Sequence, residues 1–317
     1  MFNLGKELEQ SYGTHRAGWS YAVSSLRDYH DPNGPDFISF VEKKFVFGGD
    51  EGDINNRFEP LNRPWVGVIH CPVNVPLWFN RHYSPEVYFK TPEFQSALEH
   101  CKGLISLSTP LSSWLAKNYD LPVTTLLHPT ETSTSLFNEK VLTSKAPLKV
   151  VQLGFWLRKL YGIQELDLPE SGFEKYTVGM SKPYQQRIVN IERRIFKPKM
   201  NSYQKVENIG FLSNDDYDVL LSESVVFVDF YDTSANNAII ECVVRGTPIL
   251  CPPLRAIIDY LGKDYPLYFT SKEEAEDLLN NREKLLDAAQ FLKESGVSNR
   301  LKLESFKDSF GQVTYKG

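Results

Sequence analysis

No apolar run in the 317 residues approaches the ~18 needed to cross a bilayer. The opening stretch, MFNLGKELEQSYG, lacks the apolar core of a signal peptide. Asn-x-Ser/Thr sequons are absent. Cysteine is scarce: Cys71, Cys101, Cys242 and Cys251 form no CxxC pair, and no Cys/His spacing fits a zinc site. Each lies in or beside an apolar run and reads as a buried free thiol. These absences point to a reducing, cytoplasmic setting and leave peripheral membrane contact open. A basic surplus is missing too. The net charge of -5 argues against a general nucleic-acid binder, while a local basic patch for phosphates stays compatible. No repeat, heptad or low-complexity tract is visible.

What is present is globular in composition, with 41% hydrophobic and 24% charged residues. The length suits one large domain or two ordinary ones. The 16 Tyr and 5 Trp suit either sugar stacking or core packing.

Strands and helices alternate. In the C-terminal half, 149–154, 173–180, 206–212 and 224–230 read as strands, followed by TPILCP and PLYF. SVVFVDF, at 224–230, is nearly continuous in apolar residues, as a strand buried on both faces would be. Between the strands, 184–196 puts Ile188, Ile191 and Ile195 at helical spacing. SANNAIIECVVRG predicts a helix ended by Gly246, and SKEEAEDLLNN and REKLLDAAQFLKESG predict exposed amphipathic helices. The N-terminal half repeats the theme: a helix over 17–29, a strand within 37–47, strands at 65–70, 103–108 and 122–127, and a helix over 93–102. Another helix follows with Thr109 as N-cap and Pro110 at its first position. Such alternation predicts βαβ units and parallel sheets: an α/β protein of two Rossmann-like lobes. The polar stretch 128–147 has linker composition, so the boundary is expected near 146. That gives an N-terminal lobe over 1–146 and a C-terminal lobe over 147–317, whose last helices can pack back on the first lobe.

The chemistry concentrates in SVVFVDFYDTSANNAIIECVVRGTPIL, 224–250. A buried strand leads through a polar turn into a helix, with Ser234 as the N-cap candidate. Free backbone N–H groups and the positive end of the helix dipole then face the space above the strand ends, where an anion is well held. Ser234, Asn237 and Glu241 share one helix face by spacing, with Asn236 between. Glu241, amid apolar residues, needs a partner: a ribose diol, or an Arg or capping group. The strand ending at Gly154 is followed by Arg158 and Lys159. This pattern suits a diphosphate, or else is a solvated basic pair. GTHRAGWS, 13–20, offers His15 and Arg16 on a polar loop that faces a ligand or is a surface turn. His70 ends the strand WVGVIH, placed for proton transfer, a sugar hydroxyl or a structural role. His128 and Glu131, in HPTE, line a cleft or organise a hinge.

Together these residues resemble a family. The block VENIGFLSNDDYDVLLSESVVFVDFYDTSANNAIIECVVRGTPIL resembles the donor-binding core of GT-B glycosyltransferases. In those enzymes a helix carries a ribose-binding Glu, followed by a small-residue, Gly, Thr/Ser, Pro run. Glu241 matches the Glu, and Gly246, Thr247 and Pro248 match the run. VVQLGFWLRKLYG is similar to the strand-loop whose Arg and Lys hold the donor diphosphate, and LLHPTETSTSLF, ending in Phe137, to the inter-lobe segment. The resemblance runs roughly from 100 to 270. GTHRAGW, HPTE and SANNAIIE narrow it toward members from bacterial and large-virus glycan pathways.

The resemblance implies transfer of a sugar from a nucleotide-diphosphate sugar to a glycan or other hydroxyl acceptor, without a metal or other cofactor. Arg158, Lys159 and the turn from Ser234 to Asn237 would stabilise the leaving diphosphate. Glu241 would hold ribose and backbone near Leu212 and Ser213 the base, with Gly154 also among the donor-binding residues. His15, Arg16 and His70 would face the acceptor or the transferred sugar. Many retaining members carry a second acid eight residues before the ribose Glu. Thr233 stands there, with Asp232 beside it, so retention is only favoured. A nucleotide-sugar epimerase or hydrolase on the same fold, or a non-catalytic sugar-binding protein, are the alternatives.

Overall fold

The computed structural model describes residues 1–10, 17–47, 61–132, 135–179, 183–198 and 205–316. The chain divides into two compact units. The first holds Met1–Glu131, Asp232–Ala235 and Arg300–Gly317, and the second Thr132–Tyr231 and Asn236–Asn299. Both are α/β with parallel sheets.

In the first unit four strands lie side by side in chain order: β1 (Asp36–Ile38), β2 (Trp65–Ile69), β3 (Cys101–Ser106) and β4 (Val123–Thr125). All are parallel. β2 is buried throughout and alternates its faces. Val66 and Val68 join a core with Trp19, Leu26, Phe306 and Phe310. Trp65 and Ile69 join another with Phe89, Phe94 and Leu115. Burying each Phe side chain contributes about 1.5–3 kcal/mol. At Gly67 a Cβ would stand 2.4 Å from Val41 and 2.7 Å from the Trp65 ring, so the strand has room only for glycine there. The buried Trp65 indole donates to the Ala97 carbonyl at 2.7 Å.

Three local expectations shift here. The strand within 37–47 is confined to Asp36–Ile38, and Lys43–Phe47 forms a π-helical turn. The turn follows Glu42, whose Oε1 accepts the His70 and Cys71 N–H groups and so draws the chain out of the sheet. The helix over 17–29 is Trp19–Ser24 followed by a 3₁₀ turn at Arg27–Tyr29. Helix Thr109–Asn118 has Ser108, not Thr109, at its N-cap position, in extended conformation. The Ser108 hydroxyl makes no capping bond and instead lies 3.1 Å from the Ser234 hydroxyl.

The second unit has five parallel strands: β5 (Leu148–Leu153), β6 (Phe173–Val178), β7 (Val206–Gly210), β8 (Ser224–Phe227) and β9 (Ile249–Leu250). Their spatial order is β7-β6-β5-β8-β9. The chain therefore runs outward from β5 and then returns to its other side at β8. Such a reversal opens a crevice at the carboxyl ends of β5 and β8, where open α/β sheets bind ligands. The strand expected over 224–230 is confined to Ser224–Phe227, fully buried inside the sheet, while β7, at the edge, is half exposed. PLYF forms no strand, only a bridge between Tyr268 and Cys251. Helix Arg282–Glu294 buries Leu285, Ala288, Ala289 and Leu292, so its apolar face is core.

All four cysteines are buried and free. Among the described residues no helix is long and apolar enough to cross a membrane.

Candidate functional site

In the second unit, Gly154 ends β5 with φ +68, a conformation that favours glycine. A Cβ there would sit 3.1 Å from the Arg158 Cζ. The glycine thus lets the arginine fold back over the strand end. Arg158 is buried. Its Nη1 donates to the Trp156 carbonyl at 2.8 Å and its Nη2 to Asn236 Oδ1 at 3.2 Å. Its Nε has no hydrogen-bond partner among the described residues. The guanidinium lies 5.5 Å from the Phe230 ring centre. Burial lowers its pKa to about 10, while Tyr217 and Glu241 favour the charged form. It stays a cation at neutral pH.

The loop bearing Arg158 is pinned. The Leu160 N–H donates to both oxygens of Glu192, at 3.2 and 3.0 Å, and the Tyr231 hydroxyl donates to the same carboxylate at 2.7 Å. Gln152 donates to the Leu160 carbonyl at 3.3 Å and accepts from the Ile163 N–H at 3.3 Å. Burial pushes the Glu192 carboxyl up to about 7, against these bonds. Lys159 is tied down as well, 2.9 Å from Asp229. It is an ion-paired neighbour of the loop rather than a solvated cation.

Helix Asn237–Arg245 starts two residues later than a Ser234 cap would place it. Asn236 is the N-cap, and its Oδ1 accepts the Ala238 N–H at 3.1 Å. Asparagine is at least as good a cap as serine, and Asn236 alone is extended immediately before the first helical turn. Ser234 precedes the helix and belongs to the first unit, so it shares no helix face with Asn237 and Glu241. Asn237, half-buried, opens the helix, and Glu241 is buried one turn further on. Burial raises the Tyr217 pKa, and the charge of Glu241 and a hydrogen bond with it add to the rise. Arg245 donates to the Glu241 carbonyl at 3.0 Å and forms a buried ion pair with Asp218. The helix ends at Gly246, φ +71, as its sequence predicts.

Ser213 caps helix Asn214–Ser222, accepting the Asp216 N–H at 3.1 Å. Ser213 is exposed and Leu212 half-buried, just beyond edge strand β7. Gly154, Arg158, Asn236, Asn237 and Glu241 therefore gather at the carboxyl ends of β5 and β8, while Leu212 and Ser213 stand beyond β7.

In the first unit His70 follows β2. Its Nε2 donates to the Ser39 carbonyl at 2.7 Å, and its ring lies between Phe40 and Trp19, with centres 4.1 and 5.0 Å away. Burial lowers its pKa to about 3. A proton-shuttling histidine works best near the ambient pH, so this is a packed, neutral ring. His128 is buried and stacks on Trp19 at 5.0 Å. His15 and Arg16 lie outside the described residues.

Sequence reasoning missed Tyr217, Glu192, Asp229 and Glu42. Each acts through tertiary contact with residues distant in the chain, and no local spacing marks them. Asn236 was within reach of the capping rule, which Ser234 satisfied equally well on paper.

No protein-family model and no curated protein matches the sequence. Solved structures do. HepE of Anabaena, in complex with UDP and glucose, aligns with a TM-score of 0.60 and 14% identity, over 79% of this chain and 71% of that one. TarM of S. aureus aligns with a TM-score of 0.56 and 12% identity, over 79% of this chain and 50% of that one. These neighbours are GT-B glycosyltransferases. At such identities the likeness is one of fold.

Proposed function

We propose that the chain is a glycosyltransferase that takes a sugar from a nucleotide-diphosphate sugar to a hydroxyl acceptor. The observation that carries this reading is the convergence at the switch point of the second sheet. A buried arginine, folded over a left-handed glycine, shares its Asn236 partner with the N-terminus of the helix that bears Glu241. A fixed guanidinium and free helix N–H groups suit a diphosphate. The likeness of fold to HepE, solved with UDP-glucose, makes a uridine donor the first to test.

In the proposed reaction the bond between the anomeric carbon and the diphosphate oxygen breaks. The acceptor oxygen bonds to that carbon and releases its proton. Arg158 and the N–H groups of helix Asn237–Arg245 stabilise the charge developing on the diphosphate, with no metal required. Glu241 accepts ribose hydroxyls. Lys159 contributes through its pair with Asp229, and Leu212 and Ser213 flank the base. His70 acts as a neutral contact on the acceptor side rather than as the base, with His15 and Arg16 assigned to the same side. Retention at the anomeric carbon is the favoured outcome.

The test is release of UDP from a panel of UDP-sugars, with and without glycan acceptors, in EDTA. Acceptor-dependent release supports the reading. Isomerised donor would establish an epimerase, acceptor-independent release a hydrolase, and binding of sugars without nucleotides a lectin-like protein.

A further inference from the structure

The first unit holds a pocket of about 180 Å³ that the donor site does not use. It lies among segments that follow β2 and β3, on the carboxyl side of that sheet. Asn74 comes from the first segment, Ser108, Leu111 and Trp114 from the second, and Asp232 closes it.

The chemistry of this lining is specific. Trp114 offers a half-buried indole that packs against Phe89 and Tyr119, at 6.1 and 5.9 Å between ring centres. Asp232 is also half-buried, and burial raises its pKa. Its carboxylate is fixed: Oδ1 accepts the Thr233 N–H at 2.8 Å, Oδ2 the Asn74 N–H at 3.1 Å, and the Asn74 side chain hydrogen-bonds to it as well. No cation pairs with it among the described residues. A carboxylate has about four acceptor positions, so further donors can bind an oriented group. A half-desolvated carboxylate gains from hydroxyl donors, through charge-assisted bonds. The exposed Asn74 amide adds a neutral polar group. An apolar ring face beside an oriented carboxylate and a neutral amide matches a pyranose, with its C–H face and its ring of hydroxyls.

We propose that this pocket is a subsite for one pyranose ring of the acceptor, with Trp114 stacking on the sugar and Asp232 accepting from one of its hydroxyls. The assignment to the acceptor rests on the transferase reading.

Saturation-transfer NMR on the full chain tests it, with the methyl pyranosides of glucose, galactose, mannose and N-acetylglucosamine as probes. At least one pyranoside should respond, and should still respond under saturating UDP. Trp114→Ala should abolish the response, Trp114→Phe should restore part of it, and Asp232→Asn should weaken binding about tenfold. UDP affinity, and the ratio of UDP-glucose to UDP affinity, should stay unchanged in all three variants. Silence of every pyranoside, indifference to both Trp114→Ala and Asp232→Asn, or preference for tetramethylammonium would overturn the proposal. So would a changed UDP-glucose to UDP ratio, which would give the pocket to the donor sugar. Failure of UDP to bind the unaltered chain would instead sink the donor-site reading, and the pyranoside result would still decide what the pocket is.

Discussion

Arg158 Nη2 and Asn236 Oδ1 lie 3.2 Å apart, and that same oxygen caps the helix that carries Glu241. One side-chain amide therefore couples the cationic loop after β5 to the helix after β8. Asn236→Ser keeps a capping oxygen but loses the reach to Arg158. Expected is a small change in melting temperature with weaker UDP binding. Asn236→Asp keeps the cap and adds a negative charge beside Arg158, so UDP affinity should fall further while the fold holds. Calorimetric titration beside thermal melts separates the two effects.

Glu241→Gln should weaken UDP binding about tenfold, the loss of a charge-assisted bond to ribose. Tyr217→Phe leaves the carboxylate in place but removes its tyrosine partner, so its effect on affinity should be smaller. Equal losses from both variants would mean that Glu241 acts through Tyr217 rather than on ribose. The comparison needs binding constants for UDP and for 2′-deoxy-UDP. The deoxy ligand should discriminate less in Glu241→Gln.

Each unit carries a buried acid whose pKa burial raises to about 7, Glu42 in the first and Glu192 in the second. In the folded state both hold their protons more tightly than in the unfolded chain, where the ordinary value is 4.5. Their stabilising contribution is fully present below the unfolded pKa and is lost as pH rises to about 7. Glu42→Gln retains an acceptor for the His70 and Cys71 N–H groups and cannot ionise. It should flatten part of the fall in stability across this window and raise stability at pH 8, by at most about 3 kcal/mol. Urea melts at pH 5, 6, 7 and 8 measure it. A parallel pair of curves for the two proteins would contradict the assignment.

Arg245 and Asp218 form an ion pair that water barely reaches, joining helices Asn237–Arg245 and Asn214–Ser222. Asp218→Ala strands the guanidinium and should cost about 3–5 kcal/mol. An apolar double substitution, Asp218→Leu with Arg245→Met, should recover much of that loss. Urea midpoints for the two proteins check this, and equal destabilisation would show that packing, not charge, dominates there.

Much of the fold was legible because parallel sheets leave a strong signature. The runs at β2, β3, β5 and β8 are rich in apolar residues, bounded by turns, and each became a strand within a few residues of its expected place. Legibility failed where a distant side chain decides the backbone. Nothing near Glu42 announces that its carboxylate will bind N–H groups 28 and 29 residues away. PLYF has strand composition but only a single bridge to Cys251.

The candidate site follows the same rule. Gly154 with Arg158, and the helix bearing Glu241, were readable because strand-turn-helix junctions are local. Lys159 looked equivalent to Arg158, and only the fold shows it paired to Asp229. Ser234 and Asn236 satisfy the capping rule alike. The choice between them fell to tertiary contact, which takes Ser234 to the Ser108 hydroxyl and leaves Asn236 beside Arg158.

The most direct measurement is titration of UDP into the unaltered chain and into Arg158→Ala, with a thermal melt of each. Expected is saturable binding to the unaltered chain and at least a tenfold weaker affinity in the variant, about 1.4 kcal/mol, with the fold retained. Absence of binding by UDP and every other nucleoside diphosphate, or equal affinity in a folded Arg158→Ala, would contradict a donor site at the ends of β5 and β8.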